Sequence, residues 1–242
     1  MKLAVLLRSV LFALFQAVVT PFYALVALAT YPLGPFARYR VISGYARLMV
    51  AAARQTCGIR YCVIGAENIP AEPCIILAKH QSAWETLAFQ VIFPPHVWVL
   101  KRELLRVPFF GWGLAMLSPI AIDRASGTRA LKQTLEQGRE RLRSGFFIMI
   151  FPEGTRVAPG ARGRYHAGGA WLAIKAGVPV LPVAHNAGEC WRRNAFLKFP
   201  GSITVSIGAP IPPRGLKAEE LIAQVESWIE REMQRLEDRE TA

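Results

Sequence analysis

The first part of the chain has a continuous apolar pattern that differs from everything after it. No charged residue occurs from Ser9 to Phe36, and this run is apolar enough to leave water. A helix that crosses the hydrocarbon core of a bilayer needs about 20 such residues, so one span is possible. Pro21 lies near the middle of the run, which equally permits two short helices that enter one leaflet and return. We therefore predict an N-terminal apolar helical membrane anchor of one of these two kinds.

The basic residues around this run indicate its orientation. Lys2 and Arg8 precede the run, and the first acidic residue of the chain is Glu67. Five arginines follow the run before that point: Arg38, Arg40, Arg47, Arg54 and Arg60. Under the positive-inside rule a single span leaves the rest of the chain in the cytosol, and a hairpin leaves both ends there too. The expected location is the cytoplasmic membrane, with the main domain on its cytosolic face. A cleaved signal peptide ending near Ala29 is the alternative, but Arg8 interrupts its early apolar run.

Residues 38–60 follow a helical pattern in which Arg40, Arg47 and Arg54 recur every seven residues. This spacing keeps the three guanidinium groups on one face of a helix. The face points either toward lipid phosphates or simply toward solvent, and the periodicity does not separate these alternatives.

From Tyr61 onward, short apolar runs alternate with amphipathic segments, a pattern typical of a layered α/β domain. Strands are predicted at Tyr61–Ile64, Cys74–Ala78, His96–Leu100, Ser118–Ile122, Phe146–Phe151, Val180–Val183 and Ile203–Ile207. Helices are predicted at Ala83–Ile92, Gly127–Leu142, Ala167–Ala176 and Ala218–Leu236. We expect a mixed central sheet flanked by helices, with a membrane-associated helical segment over 1–60 and an α/β domain over 61–242.

Composition and charge narrow the class of protein. Hydrophobic residues make up 52% of the 242 residues, yet 29 are Lys or Arg and the net charge is +12. A protein at a membrane surface combines these properties, whereas no nucleic-acid motif accompanies the basic residues. The cysteines, which we expect to be free thiols, show neither C-x-x-C pairs nor zinc spacing, so no metal site is predicted.

The first candidate for chemistry is the segment Lys79–Glu85, between a predicted strand and a predicted helix. His80 and Glu85 are five residues apart, so their side chains meet only if His80 lies in the turn before the helix. Ser82 followed by Glu85 is a capping-box pattern for a helix that starts at Ser82, which favours this placement. The same pattern also allows Glu85 to serve only the backbone N–H of Ser82, and spacing alone leaves both interpretations open.

A second candidate follows the apolar strand predicted at Phe146–Phe151. Its carboxyl end leads into Pro152-Glu153-Gly154-Thr155-Arg156, and α/β sheets present ligand sites at such ends. Gly154 permits close approach of the backbone, and the Arg156 guanidinium suits a phosphate group.

These segments resemble motifs of the glycerolipid acyltransferase family, specifically the 1-acylglycerol-3-phosphate acyltransferases. The four matching segments are His80–Glu85, Ile122–Arg124, Phe151–Arg156 and Val178–Val183, in the order found in the family. Lys101–Leu104 resembles a stretch between the first two motifs. The family usually has aspartate where this chain has Glu85, whose longer carboxylate can still accept a bond from an imidazole N–H.

The resemblance implies a function and a set of site residues. An acyl group would pass from acyl-CoA or acyl-ACP to the sn-2 hydroxyl of the lysophospholipid 1-acylglycerol-3-phosphate, giving phosphatidic acid, with no other cofactor and no metal. His80 would be the general base and Glu85 its partner, which suits an alcohol that is a poor nucleophile at neutral pH. The implied phosphate-binding residues are Lys101, Arg124, Glu153, Gly154, Thr155 and Arg156.

Other functions remain open from the sequence. Related acyltransferases with these motifs act on other lysolipids, such as a lyso-ornithine lipid. The same base could activate water in a thioester hydrolase, although the chain has no G-x-S-x-G motif of a serine esterase. A basic domain that only binds anionic membranes would leave His80, Glu85 and the turn at 153–156 without a role.

Overall fold

A seven-stranded sheet forms the centre of the computed structural model, which describes residues 2–122 and 127–241. The strands are β1 (Ile59–Ile64), β2 (Ile75–Ala78), β3 (His96–Lys101), β4 (Ile120–Ile122), β5 (Phe147–Ile150), β6 (Val180–His185) and β7 (Gly201–Ile207). Their order across the sheet is β1-β7-β6-β2-β5-β3-β4. Neighbouring strands are parallel except β6 and β7, which are antiparallel, so the predicted mixed sheet is confirmed.

Helices cover both faces of this sheet. They are α1 (Lys2–Ala29), α2 (Pro35–Ala52), α3 (Trp84–Ile92), α4 (Phe110–Ala115), α5 (Gly127–Arg143), α6 (Gly168–Ala176), α7 (Ala187–Cys190) and α8 (Ala218–Thr241). A π-helical turn, Ala53–Cys57, continues α2. The predicted helices of the α/β domain are all present, whereas α4 and α7 were not predicted. Both are short, and α4 contains two glycines, which disfavour helices.

The core consists of two hydrophobic clusters, one on each face of the sheet. Successive residues of β2 alternate between them: Ile76 belongs to the cluster beneath α2 and α3, and Leu77 belongs to the cluster beneath α6 and α8. This alternation follows from the two-residue period of a strand, and all four residues of β2 are fully buried. Helix α8 packs on the second cluster through Leu221, Val225 and Ile229, which recur at helical spacing.

The N-terminal helix α1 is continuous through Pro21. A hairpin of two short helices that turns at Pro21 is therefore wrong; the chain turns after α1, in the segment 30–34, before α2 begins. By length and composition α1 could cross a membrane, since its most apolar window has a mean hydropathy of 2.1. Only 17% of that window is buried in the protein, so most of this apolar surface is exposed.

Helix α1 lies against the rest of the protein along its length. Near its start, the Ser9 hydroxyl accepts the backbone N–H of Lys198 at 3.0 Å. Farther along, the ring of Phe12 makes an edge-to-face contact with that of Trp191, with centroids 5.3 Å apart. In its second half, Thr20 Oγ1 lies 2.9 Å from the Tyr45 hydroxyl of α2. These contacts hold α1 against the segment after α7 and against α2.

The structure also shows the exposure of the three regularly spaced arginines and of the cysteines that the sequence singled out. Arg40, Arg47 and Arg54 are exposed, as expected for one helical face. All four cysteines are free thiols; Cys62 is exposed and the other three are buried.

Candidate active site

His80 lies in the loop between β2 and α3. Helix α3 begins at Trp84, one residue after the start predicted at Ala83. The Glu85 carboxylate accepts the Ser82 N–H at 2.8 Å, as the capping-box pattern predicted, and the Ser82 hydroxyl accepts the N–H of Trp84 at 3.0 Å. These local bonds keep the chain non-helical through Ser82, which leaves the imidazole outside the helix.

The fully buried carboxylate of Glu85 fixes the His80 ring. Glu85 Oε1 lies 2.8 Å from His80 Nδ1, and it also accepts the backbone N–H groups of Gln81 at 3.0 Å and Ser82 at 2.8 Å. One carboxylate oxygen thus binds both the backbone and the imidazole, so the interpretation in which Glu85 serves only the Ser82 N–H is wrong. An ionised carboxylate only accepts hydrogen bonds, so Nδ1 carries the proton and Nε2 is the basic nitrogen of the ring.

The environment of Glu85 favours its ionised form. Burial raises the pKa of this carboxyl, but the imidazoles of His185 and His80 and the backbone N–H of Ser82 outweigh burial and lower the pKa below its usual value. Glu85 is therefore a carboxylate at neutral pH, able to stabilise a positive charge on His80.

An aromatic ring packs against one face of the His80 imidazole. Phe151 stacks on His80 with centroids 3.8 Å apart and planes inclined by 8°. Trp98 in turn stacks on Phe151 at 5.5 Å. With Glu85 at Nδ1 and Phe151 beneath the ring, the imidazole is held in one orientation, and its side chain is 16% exposed.

The turn after β5 forms hydrogen bonds with both the backbone N–H and the backbone carbonyl of His80. Glu153 Oε2 accepts the His80 N–H at 2.8 Å, and the Val157 N–H donates to the His80 carbonyl at 2.7 Å. Gly154 adopts a left-handed conformation with a φ of 67°, which glycine tolerates without strain. The two segments that the sequence singled out are therefore adjacent in space.

A cavity of about 380 Å³ opens beside the imidazole. Five predicted site residues line it: His80, Lys101, Gly154, Thr155 and Arg156. The cavity thus combines a basic imidazole nitrogen with two cationic side chains, an arrangement suited to a phosphorylated substrate that carries a hydroxyl group.

One predicted phosphate-binding residue that the structure describes, Glu153, is not found on the cavity wall. The Glu153 carboxylate is buried behind it, with Oε1 2.9 Å from Lys79 Nζ, and an anion in this position does not favour phosphate binding. Its contacts give it a different task, which is to hold the backbone of His80. Arg124 lies outside the residues that the structure describes.

Sequence reasoning missed part of the cavity wall. Arg193 lines the cavity next to Arg156, and its Nη1 donates to the Arg156 carbonyl at 2.9 Å. Arg193 belongs to an irregular loop after α7, so no periodicity or motif pointed to it. Residues Tyr23 and Ala27 of α1 also line the cavity. The N-terminal helix thus forms one wall of the site, which the apolar pattern alone did not indicate.

Comparison with known proteins agrees with this geometry. Residues 60–186, which include the loop of His80 and the turn of Arg156, match the acyltransferase family. The chain is also 46% identical over 232 residues to the 1-acyl-sn-glycerol-3-phosphate acyltransferase of Pseudomonas aeruginosa, covering 94% of this chain and 90% of that protein. The chain belongs to the acyltransferase family. The resemblance drawn from its motifs is confirmed.

More distant acyltransferases share the likeness. The sheep enzyme 1-acyl-sn-glycerol-3-phosphate acyltransferase alpha (Ovis aries) is 30% identical over 182 residues, which span 73% of this chain and 63% of the sheep protein. The crystal structure of the 1-acyl-sn-glycerophosphate acyltransferase of Thermotoga maritima superposes with a TM-score of 0.81 at 25% identity. That likeness covers 98% of this acyltransferase and 97% of the Thermotoga chain, so it includes the N-terminal helices.

Proposed function

We propose that this acyltransferase moves a fatty acyl group from an acyl thioester to the sn-2 hydroxyl of 1-acylglycerol-3-phosphate, giving phosphatidic acid. The relatives named above carry this activity in their names. The observation that carries the proposal is that His80, oriented by Glu85, and Arg156 line one cavity. The donor is an acyl-CoA or an acyl carrier protein, both of which present a thioester.

In the proposed reaction His80 acts as the general base. Its Nε2 takes the proton of the acceptor hydroxyl while the oxygen attacks the thioester carbonyl, and the Glu85 carboxylate stabilises the resulting imidazolium. When the tetrahedral intermediate collapses, the carbon–sulfur bond breaks and the imidazolium returns the proton to the departing thiolate. The base is thereby restored, and the products are the ester and the free thiol.

The acceptor phosphate is proposed to bind the cationic side of the cavity. Arg156 offers a planar fork of donors, and Lys101 and Arg193 add two further positive charges on the same wall. Thr155 contributes a hydroxyl, while Arg124 keeps its sequence-based assignment to the same phosphate. A cationic wall of this kind favours a headgroup that ends in an anionic phosphate over the zwitterionic headgroup of lysophosphatidylcholine.

The apolar substrates imply a membrane on the open side of the cavity. The outer face of α1 exposes Leu14, Val18 and Phe22, whose side chains are 61%, 75% and 63% exposed. Because the domain holds α1 along its length, we infer that the helix lies in one leaflet with this face in the lipid, rather than crossing the bilayer. Phe109 and Phe110 are exposed and line the cavity, so lipid chains can enter between α1 and α4.

The orientation of α1 is tested with small epitope tags at the two chain ends, in inside-out vesicles of the cytoplasmic membrane in which added protease reaches only the cytosolic side. A helix in one leaflet leaves both tags on the cytosolic side, where the main domain is expected. If protease removes the C-terminal tag but not the N-terminal tag, the N-terminus lies on the side opposite the main domain. That result would show that α1 spans the bilayer and would overturn this arrangement.

The substrate proposal is tested with the purified full-length chain. Lysophosphatidic acid, lysophosphatidylcholine and a lyso-ornithine lipid compete in one assay, with acyl-CoA or acyl-ACP as donor. We expect the thioester to be consumed only when an acceptor is present, with phosphatidic acid as the main product. For His80→Ala we expect neither thioester consumption nor phosphatidic acid. Thioester cleavage at the same rate without an acceptor would identify a hydrolase. Preferred acylation of the lyso-ornithine lipid would show that this lipid, and not lysophosphatidic acid, is the acceptor.

A further inference from the structure

A buried lysine adjoins the proposed base but does not reach the cavity. Lys79 is 1% exposed, and its Nζ lies 2.9 Å from Glu153 Oε1 and 2.9 Å from Glu230 Oε1. The carbonyl oxygen of Ala161 is a third partner at 3.5 Å. One ammonium group is therefore shared by two carboxylates, one from the turn after β5 and one from the C-terminal helix α8.

Glu230 has a second partner inside the protein. The Tyr165 hydroxyl donates to Glu230 Oε1 at 2.7 Å, so the same oxygen binds a phenol and an ammonium group. Glu230 lies on α8, beyond the residues 60–186 that match the family. Glu230 is not among the residues that line the cavity described above, so its side chain does not contact a substrate bound there.

The contacts of Glu230 lead back to the backbone of His80. Lys79 Nζ joins Glu230 to Glu153, and the other oxygen of Glu153 accepts the His80 N–H at 2.8 Å. Burial raises the pKa of Glu153, and the charge of Lys79 opposes that rise. The strength of the hydrogen bond between the His80 N–H and Glu153 thus depends on the position of the Lys79 ammonium. Glu230 is one of the two anions that fix this position.

We infer that Glu230 is a positioning residue for acyl transfer, acting on His80 through Lys79 and Glu153. The inference rests on the function proposed above. Without the negative charge of Glu230, Lys79 is balanced by Glu153 alone and moves toward it, where the ammonium competes with the His80 N–H for the same carboxylate. The loop that carries the base then loses one of its two backbone anchors, and the imidazole is displaced from the acceptor hydroxyl.

Stability alone does not account for such a network. Replacing buried ion pairs with apolar residues of similar volume is often neutral or stabilising. In this protein the network ends on the loop that carries the proposed base, where a small displacement of the side chain is expected to change the rate of the reaction.

The test compares Glu230→Gln with Glu226→Gln, one turn earlier on the same helix. Glu226 pairs only at the surface with Arg162, whose side chain is 67% exposed, so its variant controls for loss of a charge on α8. For Glu230→Gln we expect kcat about tenfold lower with KM unchanged for both substrates, since the cavity wall is untouched. Glu226→Gln is expected to retain the wild-type kcat.

A double variant identifies the route of the effect. If Glu230 acts through Glu153, adding Glu230→Gln to Glu153→Gln lowers kcat no further than Glu153→Gln alone. Additive losses, equal kcat for the Glu230 and Glu226 variants, or a raised KM in Glu230→Gln would each overturn the inference. A wild-type protein that acylates none of the lysolipids would instead overturn the proposed function.

Discussion

Replacing Glu85 with glutamine tests the electrostatic part of the mechanism without removing the base. The three N–H groups that converge on Glu85 Oε1 come from His80, Gln81 and Ser82. Only the amide oxygen of glutamine can face three donors, so its orientation is fixed and His80 keeps its proton on Nδ1. The variant therefore removes a charge while it preserves the tautomer and the backbone bonds.

The size of the effect follows from the charges in the transition state. Two unit charges about 4 Å apart interact by about 4 kcal/mol at an effective dielectric constant of 20. The neutral amide retains part of this stabilisation as an ordinary hydrogen bond, so we expect a loss of about 3 kcal/mol. This corresponds to a kcat about 150-fold lower, with little change in KM for the acceptor.

The assay follows formation of phosphatidic acid at saturating acceptor and donor, with thermal unfolding as the control for folding. A Glu85→Gln variant that is folded and within about threefold of the wild-type kcat would refute the proposed stabilisation of the imidazolium. A larger loss, equal to that of His80→Ala, would show that the carboxylate is needed to place the ring and not only to balance its charge.

Three further predictions concern other groups. His80→Ala is expected to lower kcat at least about 1,000-fold, more than Glu85→Gln, while the unfolding temperature stays the same, and near-normal turnover would remove His80 from the mechanism. Arg156→Ala is expected to raise the KM for lysophosphatidic acid at least tenfold and to narrow the preference over lysophosphatidylcholine, measured by competition. Burial lowers the pKa of His96 to about 4, so below about pH 6.5 the unfolded chain binds a proton that the folded protein does not. Between pH 6.5 and 4 this group therefore reduces the free energy of unfolding by up to about 3 kcal/mol, and denaturant titrations of His96→Gln should show a weaker fall with pH than the wild type.

The local pattern was sufficient for most of the fold. Short apolar runs predicted all seven strands because a buried strand such as β2 needs apolar side chains on both faces of the sheet. The start of α3 was predicted at Ala83 and lies at Trp84, because the pattern identifies the capping serine but not the residue at which the helical hydrogen bonds begin. Such choices depend on which donors are already taken in the folded state.

The sequence predicted the site residues that lie within short motifs, but not those that folding brings to the site from distant parts of the chain. His80, Glu85 and Arg156 stand in short segments with recognisable spacing, and the structure brings those segments together. Arg193 and Glu230 lie in an irregular loop and on a solvated helix, where charged residues are common. Their partners are distant in the chain, and only the folded arrangement of the sheet and helices makes them neighbours.

The packing of α1 also bears on how this protein can be handled. A common way to obtain a soluble version of a lipid enzyme is to delete its N-terminal apolar segment. In this chain that deletion removes Tyr23 and Ala27 from the cavity wall, and it uncovers the side of Trp191 on which Phe12 rests. A shortened protein would thus gain solubility at one surface while it exposes its own interior at another, so detergent or nanodisc preparations of the full chain are the appropriate material for kinetics.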